Sequence, residues 1–94
     1  MSLEKLVSKY IASAEQVFGE IKIAKDCYYT SADSVKHVIY SAKAYLQDAK
    51  YYRSEKRFDV SLASVAYCEG LLDALKMLEM VKFEWPSTKE GREK

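Results

Sequence analysis

Residues 58–85 read FDVSLASVAYCEGLLDALKMLEMVKFEW, a stretch apolar around most of a helix's circumference. One stripe, Ala63, Tyr67, Gly70, Ala74, Met77 and Val81, recurs at alternating four and three spacing, the period of an α-helix. A second stripe, Val65, Cys68, Leu72 and Leu75, runs beside it, and Leu71 and Leu78 fall between. Two stripes need two partners, so this helix, from about Val60 to Val81, is expected to be the most buried and to touch both of its neighbours. Gly70 in mid-helix is unfavourable by about 1 kcal/mol relative to alanine, so a packing reason is expected for it. Ala42 and Ala49 upstream, and Ala63 and Gly70 here, are each seven apart, which predicts close approach of the second and third helices. On that expectation Gly70→Leu overpacks the core at a cost of about 1 to 3 kcal/mol.

Working upstream, SEKRFD is a turn, with basic residues suiting the carboxyl end of one helix and Asp59 as the cap of the next. The preceding helix is expected from about Ala32 to Glu55, with a core face of Val35, Val38, Ile39, Ala42, Tyr45, Leu46, Ala49 and Tyr52. Thr30 or Ser31 caps it, with Asp33 in the first turn. Further upstream, Leu3, Val7, Tyr10, Ala14, Val17, Ile21 and Ala24 mark a helix from about Ser2 to Ala24, capped by Ser2 and containing Gly19. Short connections make neighbouring helices antiparallel. The expected architecture is therefore all-α: a single antiparallel three-helix bundle, spectrin-repeat-like, with helices about 2–24, 32–55 and 60–81. The bundle domain is read as residues 1–85, with Trp85 folding back over its end and Pro86 stopping further helix. Residues 86–94 read as a polar disordered tail.

Composition bounds the function. The 94 residues make one domain, and 15 basic against 14 acidic residues leave a net charge of +1. No overall field draws such a molecule to nucleic acid or to an anionic membrane, so any such role needs a local patch. No apolar run approaches the roughly 20 residues of a membrane span, and MSLEKLVSKY is amphipathic and charged rather than signal-like, so a cytoplasmic location without membrane contact is expected. Cys27 and Cys68, without a CxxC pattern, read as two reduced, partly buried thiols.

The residues for common chemistries are missing. His37 is the only histidine and reads as a solvated surface side chain. Zinc needs three or four suitably spaced ligands, a nucleophile needs its base, and no glycine-rich phosphate loop occurs. No catalytic residue, metal site or cofactor is expected, and the chain is read as not an enzyme. Asp48, with Glu69 and Asp73 four apart on one helix face, are the remaining acids that a divalent cation or small ligand would use.

One surface pattern stands out on the second helix. Tyr51 points about 100° away from Tyr52, onto a second face with Tyr40, Ala44 and Gln47. Lys36, Lys43, Lys50 and Arg57, each seven residues after the last, border it, with Arg53 nearby. Tyrosines interleaved with cations suit bases and phosphates, and equally a protein partner. Lysine stems and tyrosine rings also simply cover a bundle's flank.

AYLQDAKYY at 44–52, followed by the 58–85 stretch, resembles the small archaeal proteins of domain-of-unknown-function family 357. The resemblance rests on Tyr45, Asp48, Ala49 and Tyr52, then on Asp59, Ala63, Tyr67, Gly70, Leu72, Asp73 and Ala74. The chain departs at the turn, where many members have a glycine before the opening aspartate and another residue at position 58. The resemblance implies an all-helical bundle, an archaeal cytoplasmic source and no assigned activity. It makes Tyr45, Asp48, Asp59, Tyr67 and Asp73 family-pattern polar residues whose role stays open between capping, interhelical hydrogen bonding and a ligand. Three functions remain. The first is a noncatalytic helical interaction module, binding a protein partner or itself as a homo-oligomer through the second helix's flank or residual apolar surface of the third. The second is a nucleic-acid-associated accessory domain using Lys36, Tyr40, Lys43, Lys50, Tyr51, Arg53 and Arg57. The third is small-ligand or metal binding through Asp48, Glu69 and Asp73.

Overall fold

A computed structural model describes residues 2–25 and 31–86 as three helices and a two-stranded sheet. The elements are α1 (Leu3–Glu20), β1 (Lys22–Ile23), α2 (Ala32–Ser54), α3 (Phe58–Met77) and β2 (Val81–Lys82). The architecture is the expected three-helix bundle with a short sheet added. The expected tail lies outside the described residues from position 87 onward, as does Thr30. Among the described residues no helix is long and apolar enough to cross a membrane.

Hydroxyl caps start the first two helices. Ser2 Oγ accepts from the Lys5 amide at 3.1 Å, and Ser31 Oγ from the Ser34 amide at 3.1 Å, each satisfying a donor that the first turn leaves unpaired. Asp59 does not cap α3. Arg57 occupies that position without a side-chain bond, and Asp59 Oδ1 accepts from the Val60 amide inside the first turn at 2.8 Å.

Two expected helix ends move. The first helix stops at Glu20 rather than Ala24, because Ile21 turns extended (φ −66°, ψ 140°) just after Gly19. The third stops at Met77 rather than Val81. Lys22 then pairs with Lys82 and Ile23 with Val81 in an antiparallel ladder, continued by the Ala24 amide donating to the Met80 carbonyl at 2.9 Å. The physical reason is a change of period. Ile21-Lys22-Ile23 and Val81-Lys82-Phe83 each alternate apolar with lysine, so extended backbone turns the apolar residues inward and both lysines out.

Helices α2 and α3 both end with a residue in left-handed conformation, Lys56 and Glu79, each at φ 60°. In each case the last turn is closed by the paired bonds of a Schellman motif: Arg57 to Tyr52 and Lys56 to Arg53, then Met80 to Leu75 and Glu79 to Lys76. Leu75 and Met80, which bracket the second motif, are both buried.

The core joins Val7, Ile11, Ala14 and Val17 of α1 to Val35, Ala42, Leu46 and Ala49 of α2 and to Val65, Cys68, Leu72 and Leu75 of α3. Met80, Val81 and Phe83 close one end, where Trp85 meets Phe83 edge-on with ring centroids 5.2 Å apart.

Two substitutions test the ends. Lysines directly opposite each other repel, so Lys82→Glu should stabilise the fold by about 0.2–1 kcal/mol in urea titration. Glycine suits the left-handed position without a Cβ penalty, so Glu79→Gly should add roughly 1 kcal/mol; a loss of stability in either variant contradicts the corresponding geometry.

Candidate functional site

The orientation of α3 differs from the expectation and sets the surface. Its inward face is Ser61, Val65, Cys68, Leu72 and Leu75. Ser61 is fully buried and its hydroxyl donates to the Ala49 carbonyl at 2.6 Å. Ala49 and Ala42 therefore do line the close α2–α3 seam, but they face the serine side of α3, not Ala63 and Gly70.

The other stripe, Ala63, Tyr67, Gly70, Ala74 and Met77, turns outward on the opposite side of the helix, joined by Ala66. The expectation that α3 is the most buried helix therefore fails on this face: Tyr67 is 65% exposed, Met77 77% and Leu78 58%. Val81, the last member of that stripe, is buried because it belongs to β2. Ala63, Ala66, Tyr67, Gly70 and Leu71 line a shallow apolar groove of about 450 Å³. A Cβ built on Gly70 meets nothing within 4 Å, so the glycine answers no contact within the described residues and Gly70→Leu does not overpack the core. An exposed mid-helix glycine costs about 1 kcal/mol against alanine without any packing return inside the domain.

Tyr67 forms one wall of this groove and stacks on Tyr45 of α2, with ring centroids 5.2 Å apart and planes 19° from parallel. Tyr45, expected in the core, instead stands at its rim, 37% exposed. On the other side of α3, Asp73 Oδ1 accepts from Trp85 Nε1 at 2.7 Å, pinning the chain after β2 to the helix. Asp48 and His37 are exposed on α2. Asp48, Glu69 and Asp73 are not drawn together, and among the described residues no three His, Cys, Asp or Glu side chains form a group that could hold a metal ion.

The cationic flank of α2 faces largely into its own chain. Lys50 Nζ pairs with Glu15 at 2.6 Å, and Lys43 Nζ lies 5.6 Å from the centre of the Phe18 ring. Arg53 Nη1 donates to Ser8 Oγ at 3.3 Å, and Arg57 lies over the Tyr52 ring at 5.2 Å. Three of these four contacts reach α1, so the row forms the polar edge of the α1–α2 seam. Tyr40 and Tyr51 stay exposed, Tyr51 edge-on to Tyr52, and so does Lys36.

Residues 9–81 match the family described as "Protein of unknown function (DUF357)". The chain belongs to that family. The matched span runs from α1 to the first residue of β2 and takes in the whole outward face of α3. No curated protein and no solved structure matches the chain. Membership in DUF357 assigns no activity.

Of the family-pattern residues in this DUF357 chain, Tyr45 and Tyr67 meet in one stack, while Asp59 bonds within its own helix turn and Asp73 bonds Trp85 beyond β2. Ala66 and the outward direction of Gly70 are what the sequence reading missed; a glycine cost without a partner was the available signal. Cys68 is buried in the core, whereas Cys27 lies outside the described residues. Burial, and secondarily the Glu69 carboxylate, push the Cys68 thiol from 9.0 up to about 12, so it stays a neutral apolar side chain at physiological pH.

The sign follows by linkage. The unfolded thiol loses its proton near pH 9.0 and the folded one near 12, so stability from this group is lost as pH rises through that window. Urea titrations should show a stability decline from pH 9 upward that is shallower in Cys68→Ala, and equal slopes would contradict the burial. Gly70→Ala, measured at low micromolar protein, should raise stability by about 0.5–1 kcal/mol, and a loss would require an unseen contact.

Proposed function

We propose that the chain is a noncatalytic interaction module, cytoplasmic and archaeal, that docks a protein through the outward face of α3. The observation that supports this reading is the contiguous apolar surface of Ala63, Ala66, Tyr67, Gly70, Ala74 and Met77 on a helix whose opposite face fills the core. Small residues let a second backbone come close, and Tyr67 and Met77 supply area to bury. Among the described residues no group able to hold a metal ion accompanies it, and His37, the one histidine of the sequence, is exposed.

The nucleic-acid alternative draws less support. Of its five cations, Lys43, Lys50, Arg53 and Arg57 already contact their own chain, although Lys43 and Arg57, like Lys36, are exposed. Phosphate binding needs several free cations, each releasing counterions. The ligand-binding alternative needs Asp48, Glu69 and Asp73 close together, which this arrangement does not favour.

Affinity enrichment with the wild type and Met77→Glu, after nuclease treatment, should return proteins that the variant loses while keeping its helical circular dichroism. Identical capture by both would overturn the reading. A labelled RNA oligonucleotide should show no binding that falls steeply between 50 and 200 mM salt; a steep fall, by about a thousandfold or more for an extensive phosphate footprint, would move the function to nucleic acid.

A further inference from the structure

We infer that the occupant of the α3 face is a second copy of this chain, packed antiparallel about a two-fold axis at Gly70. This rests on the docking reading above and names its partner. Two observations carry it, the shape of the face and the charges on its shoulder, and the area sets its strength.

The shape is self-complementary in one direction only. Measured from Gly70, Ala63 and Met77 lie seven residues to either side, and Ala66 and Ala74 lie four to either side. An antiparallel two-fold therefore sets Met77 of each copy over Ala63 of the other and Ala74 over Ala66, with the glycines back to back at the closest approach. A parallel pairing sets Met77 against Met77 and alanine against alanine, which crowds one level and leaves the next empty. Small residues around the crossing and large against small at its ends suit two closely packed helices.

Charge agrees with the same axis. Tyr45 stacks on Tyr67, so in the antiparallel α2–α3 pair Gly70 stands level with about residue 42 of α2. His37, Ser41, Tyr45 and Asp48 follow at helical spacing along the α2 shoulder. Asp48 lies six residues from that level and His37 five in the other direction. The two-fold brings the carboxylate of each copy beside the imidazole of the other, where a ring N–H donates to it.

The area fixes the strength. α3 is 20 residues long, which at 1.5 Å per residue and a helix width of 10–12 Å gives a face of roughly 300 Å² per copy. Standard interfaces bury about 800 Å² per partner. The Tyr45 and Leu78 shoulders enlarge the contact but leave it below that area, so the dimer is weak, reversible and dependent on concentration.

Sedimentation equilibrium of the purified chain from micromolar to millimolar concentration tests this, run on the wild type and Gly70→Glu. The wild type should pass from monomer to dimer within that range. Gly70→Glu should stay monomeric throughout while its melting temperature at the lowest concentration is equal or higher, since the site is open in the monomer. A wild type that remains monomeric at millimolar concentration overturns the inference, and if Met77→Glu still loses a captured protein, the docking reading survives with a different partner. A dimer unaffected by Gly70→Glu places the interface elsewhere and also overturns it. Direction is read from oxidative cross-linking: mixed Ala63→Cys and Met77→Cys chains should join in heterodisulfides, whereas homodisulfides of either variant alone would overturn the antiparallel register.

Discussion

The hydrogen bond from Ser61 Oγ to the Ala49 carbonyl, 2.6 Å long and fully buried, marks the constraint on which the rest of the structure depends. A hydroxyl and an alanine at that level let α2 and α3 approach more closely than two leucines would permit. Once Ser61 faces α2, helical geometry places Val65, Cys68, Leu72 and Leu75 inward. The same rotation sends Ala63, Ala66, Gly70, Ala74 and Met77 outward. The exposed apolar face is thus a consequence of which small residue makes the seam.

That choice explains what the sequence did and did not disclose. Two apolar stripes on one helix announce that both want cover, and periodicity alone cannot say which cover comes from inside the chain. Alanine and glycine seven apart have the pattern of a seam because close packing needs small residues, and a serine carries no such periodic signal even though its hydroxyl can bond a neighbouring helix's carbonyl. The α1 and α2 starts were legible because a hydroxyl before an apolar stripe has one local use. The sheet was not, because Ile21-Lys22-Ile23 and Val81-Lys82-Phe83 are each only three residues of alternation, and each extends a helical stripe in register.

The cations on α2 teach the converse. Lys43 and Lys50, spaced seven apart, have the look of a solvated or phosphate-binding row, yet they lie over Phe18 and beside Glu15. α1 crosses that flank and meets it with an aromatic ring and a carboxylate as well as with its apolar stripe. An exposed ion pair and a cation–aromatic contact contribute only about 0.2–1 kcal/mol each, so their larger effect is on orientation. They set which side of α2 receives α1, and by elimination leave the far side of α3 uncovered.

A chain of 94 residues with three helices has a geometric shortage. Each helix in such a bundle has two neighbours at most, so a helix apolar around most of its circumference cannot be covered by them. Natural monomers resolve this by making the third side polar. Here that side keeps alanines, a tyrosine, a methionine and an unexcused glycine, while lysines and glutamates occupy α1 and α2. Glycine is the informative member, since alanine on a helix surface is favoured by propensity alone and needs no partner. Gly70 weakens its own helix, and a Cβ there would meet nothing within 4 Å among the described residues, so it is the position on which the proposed approach of a second backbone rests.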